Sequence, residues 1–251
     1  MYRSLLIRSS LAVVALTLAA VTLVPREAQA GRRPFFWVWD TEVMPERGVE
    51  WESWYTERIM SKPTDQTQVW TAPIVGLTDR LELALPVEWS WWQGSQKTIF
   101  DWYGAELRYR IGDPDPDAAG PLTGLVRLAV HRPIRSRSEL RLEANAVASY
   151  QPSVSCKFNL DGGVVAVTSG SEALATYAGG GSCKAIGEFR VGAEFFGKVP
   201  LHSDVGAQAM TMAGPNFSFT HGRFWLTGGA LIGITQFAPV AMPRLIWAIS
   251  F

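Results

Sequence analysis

The sequence predicts an all-β chain that closes into an antiparallel transmembrane β-barrel of about twelve strands, ten and fourteen being the neighbouring solutions. Three observations predict it. Apolar and polar residues alternate with period two over stretches of ten or more residues; soluble strands usually run about 5–6 residues and tilted membrane strands about 9–11. Beyond the first thirty residues no apolar run is long enough for a transmembrane helix, yet the chain holds eleven tryptophans. The last eight residues, "RLIWAISF", put Leu245, Trp247, Ile249 and Phe251 on one face and Arg244, Ile246, Ala248 and Ser250 on the other. In lipid every backbone polar group must be paired within the protein, so a sheet crosses only when closed. A soluble secreted β-sandwich is the competing all-β reading.

Residues 1–30 read as a cleaved signal peptide. Arg3 and Arg8 flank a short basic region, Leu11 to Val24 form an apolar stretch shorter than a spanning helix, and Ala28-Gln29-Ala30 supplies the small-x-small pattern for cleavage after Ala30. Residues 31–46 then form an N-terminal segment, and residues 47–251 the barrel. The 23 basic and 23 acidic residues of the whole chain include Arg3, Arg8, Arg26 and Glu27 of the signal region, so the mature chain is close to neutral. That excludes a generally basic nucleic-acid surface.

Twelve strands are predicted in order at residues 48–59, 66–75, 80–92, 99–111, 122–132, 138–150, 154–168, 172–180, 184–198, 206–219, 222–235 and 241–251. The third is the clearest: Leu81, Leu83, Leu85, Val87, Trp89 and Trp91 share a face. The fourth sets Tyr103, Ala105, Leu107, Tyr109 and Ile111 against Trp102, Glu106, Arg108 and Arg110. The seventh and eighth alternate poorly. An even count puts both chain ends at one rim, the periplasmic one in bacterial barrels. The proposed outer loops are short, whereas the periplasmic link at 112–121 is long.

Cys156 and Cys183 suit an exported protein with one structural disulfide, since they lie 27 residues apart and lack the further ligands of a metal site. Both fall at the periplasmic rim in this strand order. The two predictions are consistent with each other.

"TEVMPERGVEWESW" (Thr41 to Trp54) and "GLTDRLELALP" (Gly76 to Pro86) resemble the opening strand, first periplasmic turn and third strand of the outer-membrane barrel family named for the MetA pathway of phenol degradation. The terminal Phe251 fits the same resemblance, which covers about a fifth of the mature chain. The resemblance implies an outer-membrane channel or transporter for small, often apolar compounds, and it carries over no catalytic residue. The tryptophan-rich "FFWVWD" leader and residues 154–180 depart from the family pattern.

In a barrel surrounded by lipid the charged strand residues must face inward, because an arginine at the midplane of the lipid face costs about 2–4 kcal/mol. The inward set is Glu50, Glu52, Arg58, Glu82, Glu88, Glu106, Arg108, Arg110, Arg127, Arg141, Glu143, Glu188, Arg190, Glu194 and Arg244. The signs nearly balance, which argues against strong ion selectivity. A narrow conducting pore and a lumen closed by its own salt bridges both remain open, since barrels of about eight strands are filled and those of 16–18 conduct.

The leader "GRRPFFWVWDTEVMP" is read either as a lumen plug or, with slight preference, as an interfacial segment with Phe36, Trp37 and Trp39 at the headgroups. His131 reads as a solvated histidine near the outer rim. "LHSD" supplies His202, Ser203 and Asp204, but adjacent strand residues face opposite ways and cannot form a triad by themselves. No G-x-S-x-G elbow, phosphate loop or zinc spacing occurs.

The reading is therefore a non-enzymatic outer-membrane channel or facilitator for passive passage of small molecules, apolar ones among them, through a narrow charged lumen, with a closed structural barrel as runner-up and a lipid-modifying barrel enzyme or a soluble secreted β-sandwich behind it. It implies no cofactor. Its partners are outer-membrane lipid, an unidentified small solute, and the barrel-assembly machinery, for which Trp247, Ile249 and Phe251 form the terminal signal implied by the resemblance.

Overall fold

The computed structural model describes residues 33–61, 65–93, 99–112, 122–134, 138–169, 172–202 and 208–251. The signal peptide and its cleavage point, most of the 112–121 link and part of "LHSD" lie outside them. The described chain is built from β1 (Val49–Arg58), β2 (Gln66–Thr78), β3 (Leu81–Ala84), β4 (Val87–Trp92), β5 (Ile99–Ile111), β6 (Leu122–Pro133) and β7 (Arg141–Ser153), followed by β8 (Cys156–Val167), β9 (Ala173–Ile186), β10 (Phe189–Pro200), β11 (Met210–His221), β12 (Phe224–Gly233) and β13 (Ala241–Ser250).

These segments form one closed antiparallel barrel. Apart from β3 and β4, each element pairs with its neighbours in chain order, and β1 returns to β13 in a register running from Glu50↔Ser250 to Thr56↔Arg244. Phe251 N–H completes the seam on Val49 O at 2.8 Å. The sheet therefore has no free edge.

β3 and β4 occupy a single barrel position, because both pair with β2 on one side and with β5 on the other. Together they make the third of twelve barrel strands, predicted as one run at 80–92. The ladder breaks at Leu85-Pro86 because proline has no N–H to give. It resumes through Leu85 N–H to Pro73 O (3.1 Å) and Gly104 N–H to Pro86 O (3.0 Å).

The two poorly alternating segments are full-length strands. Outward positions in β9 are glycines whose missing side chains are replaced by neighbouring rings: a Cβ on Gly179 would lie 2.6 Å from Phe195, and one on Gly181 2.8 Å from Phe158. A face built by cross-strand aromatics leaves no apolar period in β9 itself. The ninth predicted strand begins later than expected, at Phe189, because β9 continues to Ile186 and Gly187 turns the chain with a φ of 55°. Gly222 (φ 58°) does the same between β11 and β12.

The tight turns at 79–80, 154–155, 187–188 and 222–223 lie at the rim that holds the start of β1 and the end of β13. The ends of β1, β4, β6, β8, β10 and β12 lie at the opposite, loop rim. Outward side chains are broadly apolar and exposed, with Leu128 at 54% and Leu160 at 64%. An apolar surface this continuous suits lipid rather than water. Among the described residues no helix is long and apolar enough to cross a membrane.

Cys156 and Cys183 are bonded and sit directly opposite each other in the β8–β9 register, at the tight-turn rim. The bridge ties residues 27 apart. Closing a loop of that length constrains the unfolded chain by about 3 kcal/mol. Replacing both cysteines by serine is expected to lower stability by about that amount, measured as the urea midpoint of the detergent-folded barrel. An unchanged midpoint would mean that the β8–β9 ladder alone sets this rim.

Candidate functional site

Alternation points one side chain in two of each strand to the interior, and the inward set carries most of the charge. Glu50, Glu52, Glu82, Glu106, Arg108, Arg110, Arg127 and Glu194 are buried there. Arg58, Glu88, Arg141, Glu143, Arg190 and Arg244 are partly buried. Glu188 is not among them. It is exposed in the β9–β10 turn, where Lys184 Nζ donates to it at 3.3 Å, because the strand starts one residue later.

The interior charges form a chain of ion pairs along β3, β5, β6 and β7. Arg108 donates to Glu82 (2.8 Å) and Glu106 (3.1 Å). Arg127 donates to Glu106 through Nε (2.9 Å) and to Glu143 (2.8 Å) and Asn145 (3.0 Å) through Nη1. Arg141 continues to Glu143 (2.8 Å) and Glu172 (2.9 Å). His131, read from sequence as a solvated histidine, is 2% exposed. Its ring stacks on Trp102 at 4.1 Å, and Nε2 lies 3.3 Å from Glu106. Two residues from the loop-rim end of β6, it packs inward against Trp102 and these carboxylates, which exclude the water expected around it.

Residues 33–44 run through this interior, and 45–48 leave it in a largely exposed turn at the tight-turn rim. The interfacial placement preferred from sequence is not what the structure holds: Phe35, Phe36, Val38 and Met44 are buried among inward-facing side chains. A segment inside a lumen cannot leave its backbone groups to lipid or bulk water, so strand side chains satisfy them. The Glu194 carboxylate accepts the consecutive amides of Phe36 (2.9 Å), Trp37 (2.8 Å) and Val38 (2.9 Å), and Asn216 Nδ2 also donates to it at 2.6 Å. Met44 N–H donates to Glu82 at 2.6 Å. Asn159 Nδ2 donates to Trp39 O (3.0 Å), and Arg244 Nη1 to Phe36 O (3.1 Å).

Charge fixes the two ends of the segment. Arg33 bridges Glu52 (2.6 Å) and Glu82 (3.0 Å). Lys157 bridges Asp40 (2.6 Å) and Glu42 (3.1 Å). Between them the tryptophans act as cation–π platforms: Arg108 and Arg127 lie over Trp39 at 4.7 and 4.3 Å, and Arg244 lies over Trp37 at 3.4 Å. Gly76 leaves room for the exit of the segment, since a Cβ there would fall 1.9 Å from Pro45 O.

Lys157 and Asn159 were not singled out from sequence, although "CKFNLD" places Lys157, Asn159 and Asp161 two residues apart on one face. That polar period was the available signal, masked by the weak apolar period opposite it.

On the loop-rim side of the segment lies a cavity of about 720 Å³, whose wall includes Trp54, Arg58, Glu88, Trp102, Arg141, Lys198 and Arg244. Trp54 and Trp70 stack there at 4.4 Å. Among the described residues no cluster of metal-ligating side chains occurs.

No protein-family model matches the chain, and no curated protein matches it. Solved structures do. An outer membrane channel from Pseudomonas putida F1 superposes with a TM-score of 0.59 at 10% identity, over 84% of this chain and 98% of that one. KdgM porin, solved in complex with disordered oligogalacturonate, gives 0.53 at 9% over 81% and 99%. NanC porin gives 0.53 at 10% over 81% and 98%. At such identities the likeness is one of fold: this chain has the barrel architecture of outer-membrane porins.

The Glu194 cradle generates a direct expectation. Hydrogen bonds to a charged acceptor contribute about 1.5–3 kcal/mol each, and Glu194→Ala removes three from consecutive amides. Hydrogen exchange at Phe36, Trp37 and Val38 is expected to speed up by about tenfold or more in that variant. Equal protection in the variant and the parent would show that the ion pairs at Arg33 and Lys157 hold the segment without Glu194.

Proposed function

We propose that the chain is an outer-membrane channel or facilitator for passive passage of small molecules, apolar ones among them, with residues 33–44 as a plug that closes its narrow charged lumen at rest. The observation that carries this reading is the cavity of about 720 Å³ between the segment and the loop rim, walled by tryptophans and charges. A barrel serving only as a strut has no need of an internal chamber. The proposed orientation puts the tight-turn rim in the periplasm, as in bacterial barrels, so the chamber faces outward and the plug is rooted on the inner side.

Membership of the phenol-degradation-named family belongs to the same proposal. The two stretches that carry the resemblance meet at one corner of the barrel: Arg47 N–H donates to Gly76 O, and Gly76 N–H to Gly48 O, both at 2.9 Å. They root the segment beside β2 and β3, a local arrangement that a barrel with a plug requires.

The runner-up is a structural barrel with a permanently closed lumen. It is favoured by the number of specific bonds between segment and wall, at Arg33, Lys157, Glu194 and Asn159. Planar-bilayer recording separates the two. Under the channel reading the parent protein gives small or infrequent openings, and a Lys157→Ala/Glu194→Ala variant gives several-fold larger or more frequent ones. A silent membrane with both proteins, each shown to be folded by its heat-dependent gel shift, would leave the structural reading.

A further inference from the structure

The cavity wall carries cations that the described carboxylates reach only at longer range, Glu88 toward Arg58 and Glu172 toward Lys198. Among the described residues, neither Arg58 at the end of β1 nor Lys198 near the end of β10 has a carboxylate within ion-pair distance, and Arg58 Nε is buried without a hydrogen-bond partner. Both line the same chamber. Arg58 lies within electrostatic range of Lys198, Arg244 and Arg141. Like charges gathered in a low-dielectric cavity repel one another more strongly than they do in water.

Of the nearby anions, Glu139 lines the chamber beyond ion-pair distance of either cation, and the others are bonded elsewhere. Glu88 accepts Trp102 Nε1 (3.0 Å) and Gln68 Nε2 (3.3 Å). Glu143 and Glu172 hold Arg141. Arg244 spends Nε on Thr56 Oγ1 and Nη1 on Phe36 O. A buried cation is tolerated when something pairs with it, and among the described residues no carboxylate lies within ion-pair distance of Arg58 or Lys198. The strands between β1 and β10 turn apolar side chains to the same chamber, Met210 from β11 and Met242 from β13, with Phe196 two residues before Lys198.

From this juxtaposition of unpaired cations and an apolar wall, we infer that the chamber binds small organic monoanions. The carboxylate is held between Arg58 and Lys198, and the apolar body lies on Met210, Met242 and Phe196. This deepens the channel reading and rests on it for its purpose: the site would select the solute before the plug admits it. An inorganic anion satisfies the cations but gains nothing from the apolar wall, so both halves of the site contribute to its selectivity.

Isothermal titration of the full-length, detergent-folded protein tests the site. Cyclohexanecarboxylate is the probe, with cyclohexanecarboxamide as its uncharged twin and acetate as its small counterpart. The carboxylate is expected to bind about tenfold or more tightly than either control, and Arg58→Gln/Lys198→Gln to abolish its advantage over the amide. Lys198→Gln alone, a milder change, should remove part of that advantage. Equal affinities for carboxylate and amide, or a preference that survives in a folded double variant, would overturn the inference. Acetate binding as tightly as the larger acid would also overturn it, leaving a plain anion site. Solute flux without any anion preference would sink the site and keep the channel; anion binding in a barrel that never conducts would sink the channel and keep the site.

Discussion

The pairing of β1 with β13 governs everything else in this molecule. A sheet of twelve barrel strands in lipid has no alternative partner for its edge N–H and C=O groups, so the seam from Glu50↔Ser250 to Thr56↔Arg244 must form for the structure to exist. Once it forms, the period of two in every strand becomes a division between outside and inside. Leu245 and Ile249 go to the exterior, while Arg244 and Ser250 go to the lumen. The acids and arginines of β3, β5, β6 and β7 are then confined together, and the chain of ion pairs from Glu82 to Glu172 follows from their having nowhere else to go.

Closure also creates a problem of volume. Eight strands enclose a space that side chains fill, and sixteen or more enclose a channel. Twelve leave a gap too wide for the wall residues to span alone. Residues 33–44 occupy part of it, contributing Phe35, Phe36 and Val38 as filling and Arg33, Asp40 and Glu42 as counter-charges. Glu194 is the pivotal wall residue for this arrangement. One carboxylate on β10 accepts three successive amides and so gives the segment the backbone pairing that a strand receives from its neighbour.

The barrel was legible because its determinants are local and repeated. Alternation in "IFDWYGAELRYRI" or "RLIWAISF" reports face assignment directly, and the strand order put Cys156 and Cys183 at one rim without knowledge of either partner. Boundaries were less legible where a turn residue competes with strand pattern: Gly187 ends β9 late and moves Glu188 from lumen to turn. The plug was legible only as one of two readings of the leader, for a physical reason. Its bonds are single long-range events, such as Phe36 N–H to Glu194 across 158 residues, and they impose no period on the segment. The rings of Trp37 and Trp39 suit a headgroup layer as well as a cation-lined lumen. Only the positions of Arg108, Arg127 and Arg244 decide between the two.

The two ends of the lumen differ in how completely their charges are spent. Toward the tight-turn rim Arg33, Lys157, Glu52 and Glu82 are all paired, and the segment supplies half of each pair. Toward the loop rim Arg58 and Lys198 are left over. Withdrawal of the segment would take Arg33 from Glu52 and Asp40 and Glu42 from Lys157, while Glu82 keeps Arg108. The segment's position therefore sets both the free cross-section and which wall charges stay paired along the path. Because water can solvate these freed groups in a lumen, as lipid cannot, the balance between the closed and open arrangements turns on hydration and on the few apolar contacts of Phe35, Phe36 and Val38.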